Sequence, residues 1–230
     1  MNFIPHTIVD SFLSNPNPIR DWGLSLNYTS HPKLIYPGKR TKCLSEINPQ
    51  FHFIFNSKIL DLFFTNNRNY QFEANTYFQL VKDVEGKGWI HQDPSVITAM
   101  VYLSNPDPNI NRGTSLYRLK PSVFIEHNPG PANDSTLSSL SYEHHSKGKL
   151  DKEQTKIKEN YENSNYDKIL DVNDQYNRLF CFDSSGDVYH SSNNLNSSLI
   201  KERFVLISFI SRVGTYEMFP IIKTKNQSVL

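Results

Sequence analysis

No CxxC pair, HExxH segment or glycine-rich phosphate loop occurs among the 230 residues. The usual sequence support for zinc-finger, metalloprotease and nucleotide-driven chemistry is therefore missing. Cysteine is nearly absent: Cys43 and Cys181 are the only two, too few for a disulfide framework and expected to be core residues or bystanders. Charge of one sign is not in excess either, since Lys+Arg 24 against Asp+Glu 23 leaves a net charge of +1. That balance argues against tight binding to nucleic acid or to an anionic membrane. No apolar run approaches the roughly 18 residues of a membrane-spanning helix. The opening MNFIPHTIVDSFL has neither a basic nor a long apolar region of the kind found in secretory signals, so a reduced cytoplasm is the expected compartment. No serine or cysteine stands out as an activated nucleophile.

What is present is aromatic and turn-rich. Fifteen Phe and 12 Tyr accompany frequent Asn, a composition that favours strands joined by many turns. The length fits one domain spanning 1–230. IVDSFLSNPNPIRDWGLSL reads as a short strand, a turn and a helix, with Ser14 or Asn15 as cap and Pro16 or Pro18 in the first turn. A polar loop, HPKLIYPGKRT, follows, and QFHFIFNSKILDLFF is expected to be helical in its second half. YQFEANTYFQLVK, VITAMVYLS, GTSLYRL, NRLFCFD and KERFVLISFIS read as strands, the second buried on both faces. Early helices and later strands predict an α+β fold around an antiparallel double-sheet barrel. Residues 127–177 differ, being rich in Ser, Asn, Lys and Glu. They form a polar insertion, expected to be a lid or a disordered segment, within which DKEQTKIKENYE suits a charged surface helix.

Chemistry concentrates at GWIHQDPSVITAMVYLSN, 88–105. In an extended segment His91 and Asp93 project to one face. Such a pair binds a metal, orients itself, or sits at a wet sheet edge; alone it does not discriminate. With His190, at the end of a second strand, it makes two imidazoles and one carboxylate, a facial set that leaves sites open on an octahedral metal. Arg203 opens RFVLISFI, where a guanidinium entering an apolar strand calls for an anion or for a surface salt bridge. It can clamp a carboxylate with two parallel hydrogen bonds. Tyr102, on the strand leaving the HxD pair, is either a second donor to that carboxylate or an ordinary half-buried aromatic.

HQD at 91–93, VITAMVYLSN, GTSLY at 113–117, VYHSS at 188–192 and RFVLISF from Arg203 occur in an order and at spacings that resemble the 2-oxoglutarate/Fe(II)-dependent oxygenases, within them the prolyl-hydroxylase-like branch. The resemblance implies a double-stranded β-helix (jelly-roll) core with N-terminal helices packed on the major sheet. It implies Fe(II) held by His91, Asp93 and His190, with 2-oxoglutarate bound by Arg203 and Tyr102. The reaction would use O2 to hydroxylate a C–H bond, releasing succinate and CO2. A small molecule or peptide is the expected substrate. Arg112-Gly113 stands where that family usually has two glycines, and the polar insertion stretches the distance to His190. The competing functions are a cupin-like isomerase or binding module, which would not need Arg203, and a structural jelly-roll protein, which would not need iron. Outside the set, Trp89 reads as a core residue or a mouth-lining one. His144 and His145 read as solvated rather than as a second metal site. Arg40 in YPGKRT reads as part of a solvated turn or as a receptor for an acidic substrate group.

Overall fold

A computed structural model of the chain describes residues 4–31, 33, 36–63, 71–82, 84–106, 109–123, 134–195 and 202–214. Strand β1 (His6–Val9) leads to helix α1 (Pro16–Ser25). Asn15 stands at the N-cap position and Pro16 opens the first turn, where a missing N–H costs nothing. The two-residue strand β2 (Lys39–Arg40) lies inside the loop read from its polarity as irregular. Helix α2 (Leu44–Ile47) precedes α3 (Pro49–Leu60), which starts earlier than the apolar pattern suggests. The Asn48 side chain accepts from Phe51 N and Pro49 sets the first turn, so capping chemistry rather than amphipathicity fixes that end.

Strands β3 (Gln71–Lys82), β4 (Ile97–Tyr102), β7 (Leu179–Asp183) and β9 (Glu202–Gly214) join β1 and β2 in a six-stranded sheet, order β1-β7-β4-β9-β3-β2. Strands β5 (Thr114–Leu119), β6 (Tyr166–Val172) and β8 (Tyr189–Ser192) form a second sheet, order β6-β5-β8. Every pairing is antiparallel. The fold is thus mixed α/β with antiparallel sheets.

Side-chain alternation gives the large sheet two apolar faces. On the outer face Phe78, Phe204, Leu206, Val101 and Leu179 pack with Phe55, Ile59 and Leu60 of α3. Both cysteines are buried and free. Helix α1 approaches closely enough that a Cβ on Gly23 would stand 2.7 Å from the Phe78 ring. On the inner face Met100, Tyr102, Val205, Ile207, Phe180 and Phe182 meet Leu116, Val172 and Val188 of the smaller sheet and its flank. Gly113 ends that layer, where a Cβ would fall 1.8 Å from the Val172 carbonyl oxygen; only glycine fits.

Of the polar stretch 127–177, residues 134–172 carry helix α4 (Ser135–Lys147), helix α5 (Lys152–Asn165) and the edge strand β6. Asp134 caps α4, and Asp151 with Gln154 makes a capping box on α5. Leu137 and Leu140 of α4 bury Trp89. Residues 127–133 lie outside the described residues.

Candidate metal centre

His91 pairs with His190 through two backbone hydrogen bonds, His91 N to the His190 carbonyl at 3.0 Å and the reverse at 2.9 Å. This is an isolated bridge. The HxD segment is not a regular strand as its pattern implies, because β4 begins only at Ile97, after Pro94. The side chains converge all the same. His91 Nε2 lies 3.8 Å from Asp93 Oδ1, and His190 Nε2 lies 3.2 Å from Asp93 Oδ2. One ligand atom from each of the three falls within 4.8 Å of the others.

The surroundings prepare these atoms. His91 Nδ1 is 2.8 Å from the Trp89 carbonyl. A carbonyl only accepts, so Nδ1 carries a proton and Nε2 is the atom turned toward the centre. Thr98 Oγ1 donates to Asp93 Oδ2 at 2.7 Å, in a hydroxyl chain with Ser95 and Ser184. Burial raises the Asp93 carboxyl, but His190, His91, Thr98 and Arg40 outweigh it and hold the group below the usual carboxylate range. Burial pushes His190 down to about 4, so its imidazole is neutral. Two imidazoles and an ionised carboxylate are the donor set of a two-histidine, one-carboxylate metal site. Asp93 and His190 are buried, whereas the His91 side chain is 48% exposed; the centre opens on that side.

Arg203 faces the same interior. It pairs with Val81 across β3–β9 and shares its face with Val205 and Ile207. Its side chain is buried, Nε donates to the Arg112 carbonyl at 2.9 Å, and its guanidinium carbon lies 5.6 Å from the Tyr102 ring centroid. Among the described residues no carboxylate lies within ion-pair distance of it, so the surface salt bridge with Glu202 does not form. Its charge is felt at His190, where it helps keep the imidazole neutral. Tyr102 Oη donates to Thr114 Oγ1 at 2.9 Å, and burial raises this phenol to about 12.

Several residues around the centre carry no sequence signal. Arg112, fully buried, pairs with Asp174 at 2.9 Å and donates to the Glu202 carbonyl at 2.8 Å. It supplies the carbonyl that orients Arg203 in place of the expected glycine. Glu162 of α5 accepts from Ile90 N at 3.3 Å, one residue before His91, and binds Lys87 and Lys158, each at 3.0 Å. Thr98 was within reach of period-two reasoning, since it shares a face of β4 with Tyr102. His144, expected to be solvated, is buried with Nε2 2.7 Å from the Glu85 carbonyl. Trp89 is a core residue, with Lys158 Nζ 5.3 Å from its ring centroid. An open cleft of about 380 Å³ borders Asp93 but neither histidine nor Arg203.

No helix among the described residues is long and apolar enough to cross a membrane. No curated protein matches the sequence. Solved structures similar to the chain include a prolyl-4-hydroxylase from Pseudomonas putida, 12% identical, with 91% of this chain and 93% of that one covered at a TM-score of 0.46. EvdO2 from Micromonospora carbonacea var. aurantiaca complexed with 2-oxoglutarate is 12% identical over 94% and 91%, at 0.49. The epimerase SnoN in complex with Fe3+, alpha ketoglutarate and nogalamycin RO is 8% identical over 99% and 89%, at 0.48. One family profile spans residues 4–203, from just ahead of β1 through the triad to the buried arginine, and by that match the chain belongs to DUF6445, a family of unknown function.

Proposed function

We propose that this protein is a 2-oxoglutarate- and Fe(II)-dependent oxygenase with a jelly-roll core, in which His91, Asp93 and His190 hold the metal. The observation that carries the reading is the convergence of two imidazoles and a carboxylate on the inner face, where a buried arginine stands with no carboxylate at ion-pair distance among the described residues. A binding module without a co-substrate has no use for that arginine, whose desolvation works against the fold. Two antiparallel sheets sharing one core support the jelly-roll assignment.

When bound, the iron and 2-oxoglutarate supply the oxidising chemistry, consuming O2 and releasing succinate and CO2 as a C–H bond of the substrate is hydroxylated. The chain's own part is positional. Trp89 and Thr98 orient His91 and Asp93. Arg203 would receive the distal carboxylate of 2-oxoglutarate, with Tyr102 beside it to assist. The apolar walls of Met100, Ile207 and Phe182 keep water from the interior.

The test is succinate formation by the purified protein in air with Fe(II), ascorbate and 2-oxoglutarate. Wild type is expected to form succinate in proportion to enzyme, and Asp93→Ala to lose it to background. Equal succinate from both proteins contradicts the assignment.

A further inference from the structure

Arg40 is a second guanidinium on the inner face. Its Cα partner is Gln79, and directly paired residues in an antiparallel sheet share a face. The row across the sheet therefore reads Arg40, Gln79, Val205, Tyr102. The guanidinium carbon lies 3.7 Å from the Tyr36 ring centroid, 5.6 Å from Tyr77 and 5.1 Å from Phe209. Phe209 is in turn the Cα partner of Thr98, the residue that holds Asp93. One aromatic ring thus separates Arg40 from the metal centre.

The solvated turn expected from YPGKRT is not what forms, since Arg40 is half-buried among three rings. Nε and one Nη reach Gln79 Oε1 at 3.4 and 3.3 Å, and Gln79 Nε2 donates to the Pro37 carbonyl at 2.8 Å, which fixes the carboxamide. Among the described residues the remaining donors of the fork have no protein acceptor and no carboxylate lies within ion-pair distance. A cation desolvated in this way, with no anion in contact and Asp93 acting on it only across a gap, is costly. The rings offset part of that cost through cation–π attraction and leave the outer edge of the fork open.

We propose that Arg40, braced by Tyr36, Tyr77, Phe209 and Gln79, receives a carboxylate of the primary substrate and so turns that substrate toward the metal centre. The proposal deepens the oxygenase reading and rests on it. A carboxylate fits because one planar fork matches its two oxygens. A phosphate dianion would call for a second cation, and the neighbours here are rings and a neutral amide.

The experiment uses the full chain with Fe(II) and 2-oxoglutarate, without oxygen, and follows perturbation of the visible chelate band. The probes are three sets of amino-acid derivatives: N-acetyl amino acids with a free α-carboxylate, N-acetyl aspartate and glutamate amides with only a side-chain carboxylate, and fully amidated analogues. At least one carboxylate set is expected to perturb the band and the amidated set not to. Which set responds separates a free acid from a peptidyl one. Arg40→Gln is expected to weaken that binding about 10- to 100-fold, well beyond any change in its 2-oxoglutarate titration. Arg40→Lys, which keeps the charge and loses the fork, falls between and guards against a folding defect. Equal response to the amidated set, no response to any carboxylate, or wild-type affinity in Arg40→Gln overturns the proposal and leaves the oxygenase reading standing. Absence of the band in wild type defeats that reading itself, and this inference with it.

Discussion

Glu162→Leu is expected to lower stability by about 3–5 kcal/mol, the range for breaking a buried ion pair from one side. The carboxylate is 5% exposed and so is Lys158, four residues earlier on α5, while Lys87 reaches the same group from the segment before Trp89 and is 33% exposed. The two lysines respond oppositely. Burial lowers Lys158 in spite of Glu162, whereas in Lys87 the attraction of Glu162 overcomes burial and raises it. The difference is depth, because Lys87 keeps access to water. Removing the carboxylate strands Lys158 against Trp89 and leaves Ile90 N without its acceptor. Urea denaturation of the metal-free protein measures the effect, and a loss below about 1 kcal/mol would contradict a structural role for this cluster. Lys158→Met combined with Glu162→Leu should recover most of the loss, since an apolar pair of similar volume often replaces a buried ion pair without penalty. Ile90 adjoins His91, so the single variant is also expected to bind Fe(II) more weakly.

Arg203→Met separates function from stability in the opposite sense. The co-substrate loses a charge-assisted fork in a desolvated site, worth about 2–5 kcal/mol, or roughly 30- to several-thousand-fold in affinity. Stability should hold or rise, because burial of the wild-type guanidinium is offset only by the Arg112 carbonyl at Nε and the Tyr102 side chain, with no carboxylate within ion-pair distance among the described residues. Arg112→Met is the contrast. Its partner Asp174 is 5% side-chain exposed, and removing the arginine leaves that carboxylate buried and unpaired. On the proposed reading the arginine paired with a carboxylate belongs to the fold, and the one without such a pair serves the ligand. A 2-oxoglutarate titration of Arg203→Met beside its denaturation curve tests both signs. Undiminished 2-oxoglutarate affinity would remove Arg203 from the site.

The sequence made the centre legible because its parts are chemically loud. Two histidines, an aspartate and an arginine beside apolar runs stand out at any spacing, and period-two alternation in β4 and β9 tells which side chains share a face. The HxD segment shows where such reasoning is right for an incomplete reason. The side chains do converge, but a single bridge to His190 and a carbonyl at Trp89 bring them together, not a continuous strand. Within 134–177 the helix read from DKEQTKIKENYE is α5, whereas α4 and β6 gave no such signal because their apolar anchors are sparse. Leu137, Leu140, Tyr161 and Tyr166 suffice to dock two capped helices and an edge strand, since the ends are secured by Asp134 and Asp151 rather than by a broad apolar face. Glu162 and Arg112 were illegible for another reason. A charged residue in a polar helix or turn looks solvated until its partner, 75 and 62 residues away in sequence, is brought beside it.

The most direct measurement of the central claim needs no substrate. Fe(II) is added to the protein without oxygen, followed by 2-oxoglutarate, and the visible spectrum is recorded for wild type and His190→Ala. The account predicts a charge-transfer band in wild type that saturates with one equivalent of iron and is absent in His190→Ala. A folded, iron-loaded wild type that shows no band with 2-oxoglutarate, or a His190→Ala protein that keeps it, would contradict the assignment of this centre.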